Sequence, residues 1–224
     1  MIKLVAFDWN GTILADTNAV VASDNAVLKH FGFRKTNLQK VQAAFQMPIR
    51  NFWTNLGLNG RFFDQHANEI IEVFYKNYEP LEQLCRTRSG AKEILQFLQR
   101  EGIRTVIFSN HIIPHIQKQL IRLKINKFVD NVLAREIGDN THTHQKSKNQ
   151  KLKSFVKSLK LKTKEVLVVG DTEEEIEIAK EFGYYSVGLT GGNISTAKLK
   201  ATKPDFLIHN LRELKAIINK LNLN

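Results

Sequence analysis

Short apolar runs alternate along the chain with segments whose apolar residues recur at helical spacing, and this alternation limits the possible folds most sharply. A strand covered on both faces reads as a continuous apolar run, because neither set of alternating side chains meets water. Ile2 to Phe7, Ile103 to Phe108, Phe128 to Leu133, Val166 to Val169, Tyr185 to Leu189 and Phe206 to Ile208 have that character. Between them, Ala91, Ile94, Leu95 and Leu98, then Ile113, Ile116, Leu120 and Leu123, keep three- and four-residue spacing. Leu211, Leu214, Ile218 and Leu221 make a last amphipathic stretch, and Gly102 and Gly183 stand where helices stop before strands. Strands and helices alternating in this way predict an α/β domain built on a parallel sheet.

From about Thr17 to Cys85 the pattern changes: helical spacing persists and strand-like runs disappear. Val20/Val27/Leu28/Phe31, Leu38/Val41/Phe45, Ile49/Phe52/Trp53/Leu56 and Phe63/Ala67/Ile70/Phe74 predict about four helices, broken near Gly32, Pro48 and Gly57 to Gly60. An all-helical segment inserted after the first strand of an α/β domain reads as a cap. The expected division is a core of residues 1–16 and 86–224 and a cap of residues 17–85.

At 224 residues, 42% hydrophobic and 25% charged, the chain has apolar mass enough for such a core, which excludes disordered and fibrous classes. A single cysteine, Cys85, rules out an internal disulfide and a Cys-rich zinc site, and agrees with a reducing cytoplasm. No apolar run approaches the ~20 residues of a membrane helix. The N-terminal run ends at Asp8, too soon for a signal peptide, so a cytoplasmic protein with no membrane partner is expected. The net charge is +11, and its densest run, Lys146 to Lys164, is interrupted by Leu152, Phe155, Val156 and Leu159 at helical spacing. Most of those lysines therefore take the solvated face of a helix, and a field that attracts small anions is expected rather than a nucleic-acid interface.

Three of the apolar runs end in chemistry. The first leads into Asp8-Trp9-Asn10-Gly11-Thr12, at the strand end outside which open parallel sheets bind ligands. Alone, this segment is equally a turn or helix cap. The second leads into Ser109-Asn110, which can hold phosphate oxygens or simply cap a helix. The fourth leads into Gly170-Asp171-Thr172-Glu173-Glu174-Glu175, where capping explains one or two acids and leaves the rest. Two carboxylates converging from different strands repel unless a hard cation lies between them, and oxygen ligands suit Mg²⁺. Lys146, 24 positions before Gly170, is either solvated or the neutralising partner of a phosphoryl group.

Together these segments resemble the haloacid dehalogenase superfamily of phosphatases across essentially the whole chain. The likeness rests on Asp8 to Thr12, Ser109, the lysine before an amphipathic helix, and Gly170-Asp171-Thr172 with Glu175. Thr190-Gly191-Gly192 and Pro204-Asp205-Phe206 extend it, and the helical insert resembles the cap of the phosphoglycolate-phosphatase-like branch. The resemblance implies a Rossmann-like, doubly wound parallel sheet with an inserted all-helical cap domain. It also implies a Mg²⁺-dependent phosphatase of small phosphorylated metabolites working through an aspartyl-phosphate. Asp8 would be the nucleophile, with Mg²⁺ held by Asp8, the Asn10 carbonyl and Asp171, and supported by Glu175. Gly11, Thr12, Ser109, Asn110 and Lys146 would bind the phosphoryl group. Glu175 has an alternative role orienting Lys146, with Glu174 its rival, and Lys148 is a less favoured substitute for Lys146 on spacing. Arg50 and Arg61 are candidate substrate contacts from the cap, whereas Phe52 and Trp53 are expected in helix packing. His30, His66, His142 and His144 show no metal-ligand spacing.

Asn10 departs from the pattern, since the family's hydrolases usually carry a second Asp there as proton donor and acceptor. An amide cannot exchange a proton at neutral pH, and losing such help costs on the order of 10²–10⁴-fold in rate. The resemblance therefore leaves a slow phosphatase, a substitute acid such as His111 or Asp16, or a substrate with a good leaving group. The alternative is a weakly active or non-hydrolytic phosphate-binding or regulatory protein. On the phosphatase reading, Asn10→Asp raises turnover.

Overall fold

The structure, a computed structural model, describes residues 1–136 and 145–223, with the side chains of residues 145–147 outside the described set. Six parallel strands form one sheet: β1 (Leu4–Phe7), β2 (Arg104–Ile112), β3 (Asn131–Arg135), β4 (Val166–Gly170), β5 (Tyr185–Leu189) and β6 (Phe206–Ile208). Their order is β3-β2-β1-β4-β5-β6. The helices are α1 (Thr17–His30), α2 (Leu38–Ala44), α3 (Ile49–Asn55), α4 (Gly60–Glu82), α5 (Ala91–Arg100), α6 (Ile113–Arg122), α7 (Gln145–Ser158), α8 (Glu173–Phe182), α9 (Thr196–Ala201) and α10 (Leu214–Leu223).

Both faces of the sheet are covered, which explains the unbroken apolar runs. In β1, Val5 and Phe7 pack with Ile94, Leu95 and Leu98 of α5 and Leu214 and Ile218 at the chain's end. Leu4 and Ala6 point the other way, into a cluster with Leu152 and Val156 of α7 and Ile178 and Ala179 of α8. Each fully buried aliphatic side chain contributes about 1.5–3 kcal/mol, so this two-sided core holds the strand ends firmly in register. Phe7 pairs with Ile107 on one side and Val169 on the other, which brings the chain segments leaving β1, β2 and β4 together.

Two elements differ from their sequence pattern. β2 continues four residues past Phe108, with a register shift against β3 between Phe108 and Ile112. Phe128 belongs to a short 3-10 turn before β3, and it looked strand-like because it is buried all the same. The insert between β1 and α5 is the four helices α1 to α4, with their own apolar cluster built on Val27, Leu28, Phe52, Trp53, Phe63 and Ile70. Among the described residues, no helix is long and apolar enough to cross a membrane.

Candidate active site

The sheet's strand order turns back at its centre, where β1 meets β4. A crevice must open outside the carboxyl ends of those two strands. Asp8 follows β1 and Asp171 follows β4. Asp8 is almost wholly buried and donates its main-chain N–H to the Val169 carbonyl at 2.9 Å. Asp171 is fully buried, its Oδ1 accepting the Thr12 hydroxyl at 2.8 Å and its Oδ2 accepting the Asn193 N–H at 2.6 Å. Room for that carboxylate comes from missing side chains: a Cβ on Gly11, where φ is +74°, would lie 2.4 Å from Asp171 Oδ2.

The lysine that reaches this centre is Lys148. Its Nζ lies 2.8 Å from Asp8 Oδ1, 2.5 Å from Glu175 Oε1, 3.3 Å from Glu174 Oε2 and 4.7 Å from the centre of the Phe108 ring. Lys146 lies in the first turn of α7 and its side chain falls outside the described residues, as do His142 and His144. Among the described residues, the lysine beside Asp8 is thus the one two places beyond Lys146. The cause is helical geometry: Lys148 is one and two turns before Leu152 and Val156, which α7 buries against the sheet.

The charges around Lys148 are unbalanced. Burial lowers the affinity of its amine for a proton, but Asp8, Glu174 and Glu175 outweigh that and hold it charged. It can neutralise only one of four buried carboxyl groups: Asp8, Asp171, Glu174 and Glu175. Burial pushes Asp8 well above the usual carboxylate range, with Lys148 opposing and Glu175 and Asp171 adding to the rise. Burial, then the Glu175 charge, push Asp171 up to about 7, and no cation among the described residues pairs with it. All-oxygen donors and excess buried negative charge fit a hard divalent cation held by Asp8, Asp171 and the Asn10 carbonyl.

Glu175 has other commitments. Its Oε2 accepts from the Thr172 N–H and hydroxyl as the capping box of α8, and its Oε1 takes Lys148. Burial raises its carboxyl, yet Lys148 and the Thr172 hydroxyl outweigh that and hold it below the usual range. Ser109 is buried near the end of β2, its Oγ accepting the His111 N–H at 3.1 Å. Asn110 donates to both oxygens of Glu174. The capping alternative for this pair fails, because the N-cap of α6 is Ile112 and has no side-chain cap. Thr12 spends its hydroxyl on Asp171, and the Gly11 N–H donates to Asp16 Oδ1 at 2.7 Å.

Asn10 lines the crevice while its amide faces inward. Its Nδ2 donates to Asp16 Oδ2 at 2.7 Å and to the Tyr78 hydroxyl at 2.8 Å, and that hydroxyl donates to Asp16 at 2.6 Å. Asp16 is fully buried beneath this network and off the crevice wall. Of the two substitute acids, only His111 lines the crevice. Its Nε2 lies 3.1 Å from Glu82 Oε1 at the end of α4, and with His115 the two tie the insert to the core.

Above the strand ends, α1, α3, α4 and the α2–α3 connection close a cavity of about 260 Å³. Phe52 and Trp53 pack in the insert's core as expected and also form part of this cavity's wall. Arg50 does not reach it. Its guanidinium makes a two-pronged pair with Asp64 on the exposed surface, at 2.7 and 2.9 Å, because it lies beside the apolar stripe of α3 rather than on it. Arg61 is exposed at the start of α4. The sequence reading missed Asp24, Arg135 and Asn193, all on the cavity wall. The Gly191-Gly192 turn before Asn193 was a usable signal.

A family model described as haloacid dehalogenase-like hydrolase matches residues 2–183. The chain belongs to that family. Among curated relatives, it is 28% identical over 221 residues to a protein of Caldanaerobacter subterraneus subsp. tengcongensis provisionally named pyrophosphatase PpaX, covering 97% of this chain and 94% of that one. It is 26% identical to a phosphoglycolate phosphatase of Vibrio parahaemolyticus, covering 97% and 96%. In fold it is similar to a haloacid dehalogenase-like family hydrolase of Streptococcus pneumoniae, with TM-score 0.81, 17% identity, and 97% and 98% covered.

Proposed function

We propose that this hydrolase is a Mg²⁺-dependent phosphatase of small phosphorylated metabolites, with Asp8 as the attacking group. The observation that carries the reading is the meeting of Asp8, Asp171 and Lys148 at the centre of the sheet. Asp8 would displace the leaving group to form an aspartyl-phosphate, which water then cleaves, so that one hard displacement becomes two easier ones. Lys148 and Ser109 would hold the phosphoryl oxygens, where charge stabilisation matters most. Glu175 and Glu174 would orient Lys148. Asp8, Asp171 and the Asn10 carbonyl would hold the cation, which supplies charge neutralisation and alignment when bound. Residues 17–85 would be the cap that shields the reacting centre.

Proton delivery falls to His111, the imidazole on the cavity wall beside Ser109, with Glu82 fixing its orientation. Asn10 favours a second reading, in which phosphate is bound and turnover is negligible. The test is phosphate release from a panel of phosphomonoesters and acyl phosphates, with Mg²⁺ and with chelator. Metal-dependent release that disappears in Asp8→Asn supports the phosphatase. Tight binding of phosphate analogues without release supports the second reading, and release unchanged in Asp8→Asn removes Asp8 as the attacking group.

A further inference from the structure

The cavity above Asp8 has two unlike ends. Its lower wall carries Asp8, Lys148, Ser109, Asn110, His111 and Arg135, while its upper wall, from the inserted helices, carries Val20, Phe45, Phe52, Trp53, Ile70 and Phe74. No lysine, arginine or histidine of that insert lines it. The one carboxyl group the insert offers is Asp24.

Asp24 sits in α1 among the buried Ala19, Val27 and Leu28, where the pattern calls for an apolar residue. It is 1% exposed, and neither of its oxygens meets a donor among the described residues. Burial alone drives its carboxyl well above the usual range, with no neighbouring charge or hydrogen bond to oppose it. It caps no helix and pairs with no cation among the described residues. A buried polar group without a partner is costly to the fold. A donor brought by a ligand removes that cost, and an acid facing an apolar enclosure is complementary to an ammonium.

We propose that the cavity accepts a phosphorylated compound whose leaving group is an apolar ring carrying an amine, with Asp24 receiving the ammonium. This rests on the phosphoryl group sitting at Asp8, as in the proposed function. The charge layout matches such a molecule, with the cations Lys148 and Arg135 on the core wall and the acid Asp24 on the wall of the insert. Size agrees: about 260 Å³ holds on the order of ten or more non-hydrogen atoms, beyond a phosphate with a two-carbon fragment. A carboxylated leaving group would instead meet an acid and no cation from the insert.

The test uses three phosphonates that cannot be hydrolysed: benzylphosphonate, 4-(aminomethyl)benzylphosphonate and 4-carboxybenzylphosphonate. Their dissociation constants for the full chain with Mg²⁺ are measured by calorimetry. The amine is expected to bind about tenfold tighter than the parent ring, the scale of one charge-assisted hydrogen bond, and the carboxylate weakest. In Asp24→Leu the ratio of amine to parent falls to about one, and Asp24→Asn serves if the leucine variant does not fold. Equal affinities in the natural protein, a preference that survives both variants, tightest binding of the carboxylate, or no binding of any of the three overturns the proposal. Phosphate release from phenyl phosphate, measured alongside, keeps the two ideas apart. Release without an amine preference sinks only this inference, and an amine preference without release sinks only the phosphatase.

Discussion

The two walls of one cavity are built on opposite principles. At the sheet end, each of the four buried carboxyl groups has a hydrogen-bond or ionic partner: Lys148, Thr12, Thr172, Asn110 or Asn193. On the wall formed by the inserted helices the surface is apolar and its single carboxyl group, Asp24, has no partner among the described residues. The difference teaches where positioning is finished and where it waits. A charge cluster fixed before substrate arrives stabilises charge that develops in reaction without reorganising. An unpaired acid in an apolar wall is completed only by what binds.

The largest expected effect breaks the sheet end. Lys148→Ala strands buried carboxylates, lowering stability by about 3–5 kcal/mol in denaturant titrations and kcat by about 10²–10³-fold. Lys146→Ala leaves kcat within about twofold, because Lys148 already supplies the buried cation beside Asp8. His111→Gln lowers kcat by about 10²-fold on a phosphomonoester and far less on an acyl phosphate, whose leaving group needs no proton. A loss equal for both substrates would show that His111 only supports the fold.

Asn10→Asp sharpens the comparison, because the network around Asn10 adds a stability cost to the expected gain in turnover. A carboxylate at position 10 would face Asp16, already raised by burial against the Tyr78, Asn10 and Gly11 hydrogen bonds. Stability falls by about 1–3 kcal/mol, the cost of a broken buried hydrogen bond. Asn10→Asp with Asp16→Asn restores the donor and should recover both the melting temperature and a turnover above the natural protein's.

The smaller effects lie on the inserted helices. Asp24 has a folded pKa raised by burial above its unfolded value, so the folded state holds a proton that the unfolded chain has lost. Stability contributed by that proton declines as pH rises from the ordinary carboxylate range towards the folded pKa, by up to about 1.4 kcal/mol per pH unit. Asp24→Asn should therefore match the natural protein at pH 4 and melt progressively higher than it towards neutral pH. A gap that is constant or shrinks with pH contradicts the burial account. Arg50→Ala should leave KM and kcat within about twofold, since its pair with Asp64 is on the surface.

The strands were legible because a two-sided core writes itself as apolar runs, and the insert because its periodicity changes. Asp8 and Asp171 were legible for the same reason, as each ends a strand. Side chains placed by helix rotation were harder. Counting back from Gly170 selected Lys146, whereas the stripe Lys148-Leu152-Val156 was the signal that Lys148 turns inward. Asp24 was missed in the same way, on the stripe of Val20 and Val27. Both are charged residues at positions where a helix buries its apolar face, and that placement was the readable signal. Arg50, beside its stripe, gave the opposite result. The Asn10–Asp16–Tyr78 network joins residues up to 68 apart, and no local pattern announces it.

The central claim is that Asp8 attacks phosphorus. Mixing the protein with substrate and Mg²⁺, quenching in acid within the first turnover and mapping peptides by mass spectrometry tests it directly. The account predicts one phosphoryl group on the peptide containing Asp8, absent when Asp8 is replaced by Asn. Phosphate release with no phosphorylated peptide, or with the phosphoryl group on another residue, would contradict it.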